Sequence, residues 1–232
     1  MTSFKTYRLE EICDIQIGKT PRRENRTYWG KGFPWVSISD IKSREIVHTK
    51  EQITKEAVEE SGCKLIPKGT LLLSFKLSIG KMAFAGTDLY TNEAIAALLI
   101  KKPAEIHPWY LFYALRNTRL VGANNAAMGA TLNKESLKAI RLPIPDKFED
   151  QLHIVNVLSK ADELVAQRNE TILLLDEFLK SSFLNMFGDP SSNKKKFPVG
   201  TIRDLVTEVK YGTSKSSGLD GKYPYLRMNN IS

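Results

Sequence analysis

The residues with the clearest potential for chemistry lie in a short basic segment near the start of the chain, residues 18–32. Lys and Arg side chains bind phosphates or guanine edges, an Asn amide can pair with adenine, and aromatic rings can brace a loop or pack on sugars. The candidate DNA-contacting residues are Lys19, Arg22, Arg23, Asn25, Arg26, Tyr28 and Lys31. A solvated basic loop is the alternative interpretation, and the segment alone leaves both open.

Two further segments carry polar side chains that suit contact with phosphates or bases. The first lies between two apolar stretches, where a hairpin turn with ordinary surface lysines is an equal alternative. Its candidates are Lys76, Ser78 and Lys81. The second is rich in amides and hydroxyls, which can read base edges. Its candidates are Asn124, Asn125, Thr131 and Lys134, whereas Asn133 is explained as the N-cap of a short helix.

Residues for catalysis or metal binding are scattered along the sequence. The three His and two Cys residues show no ligand spacing, so we expect no zinc site, no disulfide framework, no catalytic residue and no cofactor. The sequence has no glycine-rich loop for S-adenosylmethionine or nucleotide phosphates, and no Asn-Pro-Pro-aromatic motif for adenine methylation. The alternative is a metal-dependent nuclease or another DNA-modifying enzyme. Its candidate carboxylates, none in a convincing catalytic spacing, are Asp14, Asp40, Asp88 and Glu93.

The positive charge is distributed unevenly. The 232 residues include 34 Lys and Arg against 26 Asp and Glu, a balance of +8, and 42% hydrophobic residues, enough for a proper core. Residues 147–187 contain four basic and seven acidic residues, a balance of −3, so the other thirty basic and nineteen acidic residues give +11. We expect a polyanion to bind outside that acidic segment. With no export signal or membrane span in the pattern, we expect a cytoplasmic location.

Residues 1–145 are predicted to form an α+β domain. Runs rich in β-branched and aromatic residues predict short strands near residues 35–39, 70–75, 81–85 and 95–100. Helices are predicted at residues 55–61, before a glycine, and at residues 108–120, where Pro108 suits the first turn. The order has no βαβ rhythm, so an α+β fold is favoured over a doubly wound sheet.

Residues 146–188 are predicted to be a long helix with a coiled-coil seam. Asp146 and Glu149 form a capping-box-like start, and Gly188 with Pro190 marks the end. An unbroken helix over residues 147–187 would be about 60 Å long, so we expect it to act as an arm that seeks a partner helix. The predicted dimer or partner contacts are Leu158, Ala161, Val165, Ile172, Leu175, Phe178, Leu179, Phe183 and Met186. Packing against its own domain is the alternative.

Residues 189–232 are predicted to be a linker and the start of a second, incomplete domain, because the N-terminal pattern begins again there. Leu9-Glu10-Glu11-Ile12 is echoed by Ile202-Arg203-Asp204-Leu205, and Phe33-Pro34-Trp35-Val36 by Tyr223-Pro224-Tyr225-Leu226. The two copies begin about 190 residues apart, far more than the length of a solenoid repeat, which indicates a duplicated domain. We therefore expect a shortened or natural half-length version of a longer protein.

In the order of these features the whole chain resembles a specificity subunit of Type I restriction-modification enzymes. The resemblance rests on four stretches: FPWVS at residues 33–37 leading to Asp40-Ile41, GTLLLS at residues 69–74 continuing to Ile79-Gly80-Lys81, LPIP at residues 142–145 followed by Asp150-Gln151, and FLNMFG at residues 183–188. No single stretch is specific, but their order and the repeat together are.

The resemblance implies a non-catalytic, DNA-binding role. Double-stranded DNA would be bound by a target-recognition domain, modification subunits would methylate adenine, and a motor subunit would translocate and cleave. It favours DNA contact for the basic segment. As a hypothesis, two chains pair their long helices antiparallel, so that the homodimer reads a symmetric, interrupted sequence.

Overall fold

The computed structural model describes residues 2–118, 120, 124–126, 129–212, 223 and 226, with the backbone alone at 124–126 and 129–131. The strands are β1 Phe4–Arg8, β2 Cys13–Ile17, β3 Trp29–Val36, β4 Glu45–Ile46, β5 Glu51–Ile53, β6 Leu71–Ser74, β7 Met82–Ala85, β8 Tyr90–Thr91, β9 Ile95–Ile100, β10 Asn124–Ala126, β11 Gly129–Thr131 and β12 Arg141–Pro145. The helices are α1 Leu9–Ile12, α2 Lys55–Ser61, α3 Pro108–Arg116, α4 Lys134–Lys138, α5 Phe148–Phe187 and α6 Ile202–Leu205. The α+β prediction is confirmed.

The chain forms two compact units, residues 1–169 and residues 170–232. The first unit is built on a five-stranded sheet in the order β2-β9-β6-β7-β4, antiparallel except between β4 and β7. A three-stranded sheet has the order β5-β3-β8, and two antiparallel pairs join β1 with β12 and β10 with β11. The five-stranded sheet therefore supplies the central layer of the first unit.

Both faces of the central strands of this sheet are buried, which explains why these strands have continuous apolar sequences. On β6, Leu71 and Leu73 join one hydrophobic cluster while Leu72 joins another on the opposite face. Strand β9 alternates in the same way, with Leu98 in the first cluster and Ala97 in the second. Because successive side chains of a strand point to opposite faces, an uninterrupted apolar run is what a doubly covered sheet requires.

Helices cover the first face and an aromatic cluster lies under the smaller sheet. The larger cluster contains Leu9 of α1, Leu111 of α3, Leu137 of α4 and Val155 of α5. A third cluster packs the three strands of the smaller sheet against α2 and the turn before β3. It consists of Tyr28, Trp35, Ile53, Ala57 and Tyr90. Burial of these large side chains stabilises the domain through the apolar area that they remove from water.

Most of the predicted elements of the first unit are present, with one clear correction. Helix α2 and strand β9 have the predicted bounds, β6 is one residue shorter at each end, β7 is one residue shorter at the start, and α3 ends at Arg116 rather than at residue 120. The strand predicted at residues 35–39 is wrong beyond Val36. There the chain forms a 3-10 turn, because Asp40 accepts hydrogen bonds from the backbone N–H and the hydroxyl of Ser37 at 2.8 and 2.7 Å.

Helix α5 is continuous over 40 residues and ends as its sequence predicts. Gly188 has a left-handed φ of +76°, and its N–H donates to the carbonyl of Leu184 at 2.8 Å. The Lys195 ammonium group donates to the carbonyl oxygens of Asn185 and Met186, both at 2.7 Å. A cation at this end stabilises the helix through its dipole, so the lysine run after the helix contributes a cap as well as a linker.

The apolar side chains predicted to line an interface along α5 are exposed in the isolated chain. They are Leu158, Ala161, Val165, Ile172, Leu175, Phe178, Leu179, Phe183 and Met186. Only the first turns of the helix bury side chains in the core, through Gln151 and Val155.

The predicted sequence echo extends to local structure. Helices α1 and α6 are each four residues long, and in each an acidic third residue accepts a hydrogen bond from the backbone before the helix, Glu11 in α1 and Asp204 in α6. Leu9 and Ile12 of α1 are buried, whereas Ile202 and Leu205 of α6 are exposed. Of the second echoed stretch, residues 223–226, the structure describes Tyr223 and Leu226 only.

No helix in the described part of the chain is both long enough and apolar enough to cross a membrane.

Asp162 fastens α5 to the rest of the first unit. Its carboxylate accepts hydrogen bonds from the Tyr113 hydroxyl at 2.9 Å and from Arg116 Nη1 at 3.1 Å, and it pairs with Arg44 at 2.6 Å. Burial alone raises the pKa of Asp162, but the hydrogen bonds from Tyr113 and Arg116 and the charges of both arginines outweigh it and lower the pKa. The contact joins α5, α3 and the segment before β4.

Substituting Asp162→Asn should lower the free energy of unfolding at pH 7 by about 1–2 kcal/mol, since the charge-assisted hydrogen bonds are lost while the arginines stay hydrated. Because the pKa is lowered in the folded state, this stabilisation is complete above the unfolded pKa near 3.9 and is lost as the pH falls through the folded value. Urea unfolding of the wild type and the variant should therefore give a difference that shrinks below about pH 4.

Glu163→Gln is the matched control, because Glu163 is the next residue of the same helix and is exposed. It should change the unfolding free energy by less than about 0.5 kcal/mol. Equal losses from the two variants would contradict a specific clamp at Asp162.

Candidate nucleic-acid interface

The strand order brings the predicted contact segments to one end of the five-stranded sheet. Strand β9 is antiparallel to both β2 and β6, with Ile17 opposite Ala96 and Ser74 opposite Ile95. The chain therefore leaves β2, leaves β6 and enters β9 at the same end of the sheet. We call this the loop end. The basic segment 18–32 and the turn 75–81 both start there.

The third predicted segment approaches the same place. The backbone N–H of Leu132 donates to the carbonyl of Phe75 at 2.9 Å, which joins the start of α4 to the turn 75–81. Lys134 is exposed in the first turn of α4, and the side chain of Asn133 accepts from Ser136 N at 2.7 Å, which confirms the predicted N-cap. The side chains of Asn124, Asn125 and Thr131 lie outside the described residues; their backbone forms the β10–β11 pair.

The entry of the basic segment is fixed by backbone contacts. The N–H of Lys19 donates to the carbonyl of Thr91 at 2.8 Å, and the indole of Trp35 donates to the carbonyl of Lys19 at 3.1 Å. At Gly18 a Cβ atom would lie 2.2 Å from the Thr91 oxygen, so only glycine allows this approach. The Lys19 ammonium group donates to the Ser61 carbonyl at 2.9 Å, at the C-terminus of α2.

Arg23 holds the middle of the segment. Its guanidinium forms a two-pronged pair with Glu51 on β5, with Nη2 to Oε2 at 3.0 Å, and lies 3.8 Å from the ring centroid of Trp29. The hydrogen bonds to Glu51 raise the pKa of Arg23. The indole of Trp29 in turn donates to the carbonyl of Arg22 at 3.2 Å. A bidentate, stacked arginine is held in one orientation, and here that orientation braces the segment against the smaller sheet.

Two other predicted residues are also engaged within the segment. Asn25 accepts from the backbone N–H and hydroxyl of Thr27 at 3.1 and 2.9 Å, which caps the short turn Arg26–Tyr28. Tyr28 is buried, and its hydroxyl donates to Glu60 of α2, a hydrogen bond that raises the pKa of Tyr28. Both side chains shape the segment.

Three cations of the segment remain exposed, namely Arg22, Arg26 and Lys31. No residue in the described part of the chain forms an ion pair or hydrogen bond with their charged groups. They differ in this respect from Arg23 and Lys19, whose charged groups are held by protein oxygens. Arg22 and Arg26 precede β3, whereas Lys31 lies on it. Unpaired cations on a braced segment are free to meet phosphate oxygens or guanine edges without first breaking a protein contact.

The turn 75–81 is organised by a buried hydroxyl. Ser74 donates to the carbonyl of Ser78 and accepts from the N–H of Lys81 at 3.0 Å. The Lys76 ammonium group lies 5.4 Å from the ring of Phe75, while Ser78 and Lys81 are exposed. The turn therefore presents Lys76, Ser78 and Lys81 from a fixed frame.

The carboxylates of the alternative nuclease interpretation have separate local partners. Asp14 pairs with Lys101 at 3.5 Å, Asp40 caps the turn after β3, Asp88 accepts from the N–H of Lys68 at 2.9 Å, and Glu93 accepts from the Thr20 hydroxyl. Within the residues that the structure describes, no group of three or more His, Cys, Asp or Glu side chains is arranged to hold a metal ion.

The anchors of the basic segment are the part of the site that sequence reasoning missed. Glu51 and Glu60 lie 28 and 32 residues from the side chains that they hold, and the Thr91 carbonyl accepts from the distant backbone N–H of Lys19. No local pattern marks them, because an acidic residue on a short edge strand or helix is ordinary surface chemistry. The Trp29–Trp35 pair, with ring centroids 4.9 Å apart, was the available signal of a packed loop base.

Comparison with known proteins finds the same architecture elsewhere. A structure described as the complex assembly and conformational transition of the type I R-M system aligns with a TM-score of 0.61 at 22% identity, over 77% of this chain and 43% of that chain. The HsdS subunit from Thermoanaerobacter tengcongensis aligns with a TM-score of 0.55 at 22% identity, over 72% of this chain and 39% of that chain. At these identities the likeness concerns the fold.

Sequence comparison points the same way. The MjaIX specificity subunit of Methanocaldococcus jannaschii is 29% identical over 78% of this chain, and the EcoR124I/EcoR124II specificity subunit of Escherichia coli is 25% identical over 71%. The matched part spans 43% of each relative, so the chain covers less than half of their length. The family model for the Type I restriction modification DNA specificity domain matches residues 1–174 of the 232. This chain therefore belongs to the family of Type I restriction modification DNA specificity domains.

Proposed function

We propose that this chain recognises a DNA sequence on behalf of a Type I restriction-modification enzyme and leaves the chemistry to other subunits. Modification subunits would methylate the site and a motor subunit would translocate and cleave. The observation that carries the proposal is the convergence of the three predicted contact segments on the loop end of a doubly buried sheet, with Arg22 and Arg26 exposed. The family membership and the overall positive charge of the chain agree with it.

In this proposal some cations have a structural role and others contact DNA. Arg23 and Lys19 hold the basic segment in shape, while Arg22, Arg26 and Lys31 contact the phosphates or guanine edges of double-stranded DNA. Lys76, Ser78, Lys81 and Lys134, together with Asn124, Asn125 and Thr131, would extend the contact along the loop end. Base contacts would then provide the sequence selectivity and phosphate contacts the register.

Replacing Arg22, Arg26 and Lys31 by Ala should weaken DNA binding at least about tenfold, because each phosphate contact releases counterions from the duplex. The slope of log affinity against log salt concentration should fall by about two to three units. Fluorescence anisotropy with a labelled duplex, titrated at several salt concentrations, measures both quantities.

The control removes the same charge from the opposite end of the sheet, through Lys68 before β6 and Lys101 with Lys102 after β9. This triple Ala variant should leave the salt slope within about half a unit of the wild-type value. Equal losses from the two triple variants would show attraction by net charge only and would reject the loop end as the binding surface.

Glu51→Gln tests the bracing role of Arg23. The substitution makes the chain more positive, so attraction by net charge alone predicts tighter binding to any duplex. If the Arg23–Glu51 pair positions the segment, the preference for a selected sequence over a random duplex should instead fall by about three- to tenfold. Competition binding with the two duplexes measures the ratio.

Glu24→Gln makes the same change of charge within the same segment, at an exposed residue with no partner in the described part of the chain. It should leave the preference unchanged. If Glu24→Gln and Glu51→Gln lower the preference equally, the pair with Arg23 has no positioning role.

The exposed seam of α5 is proposed to pair with the same helix of a second chain. Apolar residues at heptad spacing are stabilised when a partner helix buries them. In such a pair the antiparallel helices would carry two recognition domains and read two half-sites. A modification subunit is the other candidate for this seam.

Val165→Asp combined with Ile172→Asp should raise the dissociation constant of the dimer at least about tenfold, because two charges would be buried in the seam. Sedimentation equilibrium measures the constant. Ala166→Asp with Leu173→Asp adds the same charge one position along the helix, outside the seam, and should have little effect. A wild-type chain that stays monomeric at high concentration would reject the pairing.

A further inference from the structure

Leu77 lies at the tip of the turn 75–81 in an unusual state. Its side chain is 70% exposed, and its backbone has a left-handed φ of +62°. An exposed leucine alone is ordinary, but a positive φ is uncommon for any residue other than glycine and disfavoured for a bulky one. Among the described residues of the first unit, Leu77 is the only non-glycine residue with a positive φ.

The surrounding hydrogen bonds impose this conformation. Ser74 is fully buried, and its hydroxyl contacts both the Ser78 carbonyl and the Lys81 N–H. The backbone of Ser74 also pairs with Lys81 at 2.9 Å and accepts from Gly80 at 2.9 Å. The turn is thus closed at its base by four contacts to one residue. A strained residue held by such a frame persists because the frame over-determines it, a combination found most often at functional sites.

The frame also fixes where the leucine is presented. Phe75 donates to the carbonyl of Ala94 at 3.0 Å and accepts from Leu132 at 2.9 Å, so the turn is tied to the other segments of the loop end. Lys76 precedes Leu77 and Lys81 follows it in the same turn. A partner that contacts both the leucine and the lysines must offer an apolar surface beside negative charge.

A DNA duplex has that chemistry, because two phosphate backbones flank base edges that carry the thymine methyl group and base faces that an apolar side chain can unstack. We propose that Leu77 is a specificity-determining residue that makes an apolar contact with a base of the bound duplex, flanked by phosphate contacts from Lys76 and Lys81. This inference rests on the proposed function, since it requires that the loop end bind DNA.

The test uses Leu77→Asn in the full chain and a duplex that the wild type selects from a randomised pool. Asparagine accepts a left-handed backbone more readily than leucine, so the variant should unfold at the same or a higher urea concentration. Its preference for the selected duplex over a random one should fall by about five- to tenfold. Leu77→Met, which keeps an apolar side chain, should retain most of the preference.

Val47→Asn is the control, because Val47 is 50% exposed and follows β4 at the opposite end of the sheet. It should leave the preference unchanged.

Two further measurements identify the kind of contact that Leu77 makes. Loss of wild-type affinity when one thymine is replaced by deoxyuridine, with no loss in Leu77→Asn, shows a methyl contact. If the fluorescence of a duplex that contains 2-aminopurine rises on binding of the wild type but not of Leu77→Asn, the leucine unstacks a base step.

The outcomes separate this inference from the proposed function. If the wild type selects a sequence and Leu77→Asn retains the full preference, the contact at Leu77 is rejected while the proposed function stands. If the wild type selects no sequence from the pool, both are rejected.

Discussion

Strand β9 pairs antiparallel with both β2 and β6, and the two faces of β6 and β9 are buried in separate hydrophobic clusters. This pairing decides the rest of the domain. A shift of one residue in the register would turn Leu71 and Leu73 into the cluster that now holds Leu72, so the two cores fix the register strongly. Once the register is fixed, the segments after β2 and β6 must leave the sheet together. The proposed binding surface is thus a consequence of how the core packs.

Neighbouring cations of the basic segment differ in the protein contacts that their charged groups make. Arg22 and Arg23 are neighbours, yet Arg23 is held by Glu51 and Trp29 while Arg22 is exposed and unpaired in the described part of the chain. A guanidinium held in a two-pronged pair loses little further entropy and acts as part of the scaffold. A guanidinium in water remains available to a partner. Under the proposed function, one arginine gives the loop its shape while the next contributes to its affinity for DNA.

Sequence patterns predicted the features that arise from local interactions. The bounds of α2 and β9, the Asn133 cap and the left-handed Gly188 follow from residues within a few positions of each other. Contacts between distant segments escaped prediction. Asp162 and Glu51 are unremarkable surface acids in the sequence, and only the folded chain brings them to Arg44, Arg116 and Arg23. The strand predicted at residues 35–39 failed for a related reason, because a side-chain cap at Asp40 competes with strand hydrogen bonds.

The close approach at Gly18 separates the entrance of the basic segment from its exposed cations. The entrance tolerates no side chain, whereas Arg22, Arg26 and Lys31 are exposed. Substitutions among these outer residues leave buried packing untouched, so they carry little penalty in folding. Under the proposed function, such a domain can evolve a new target without first acquiring compensating changes in its interior.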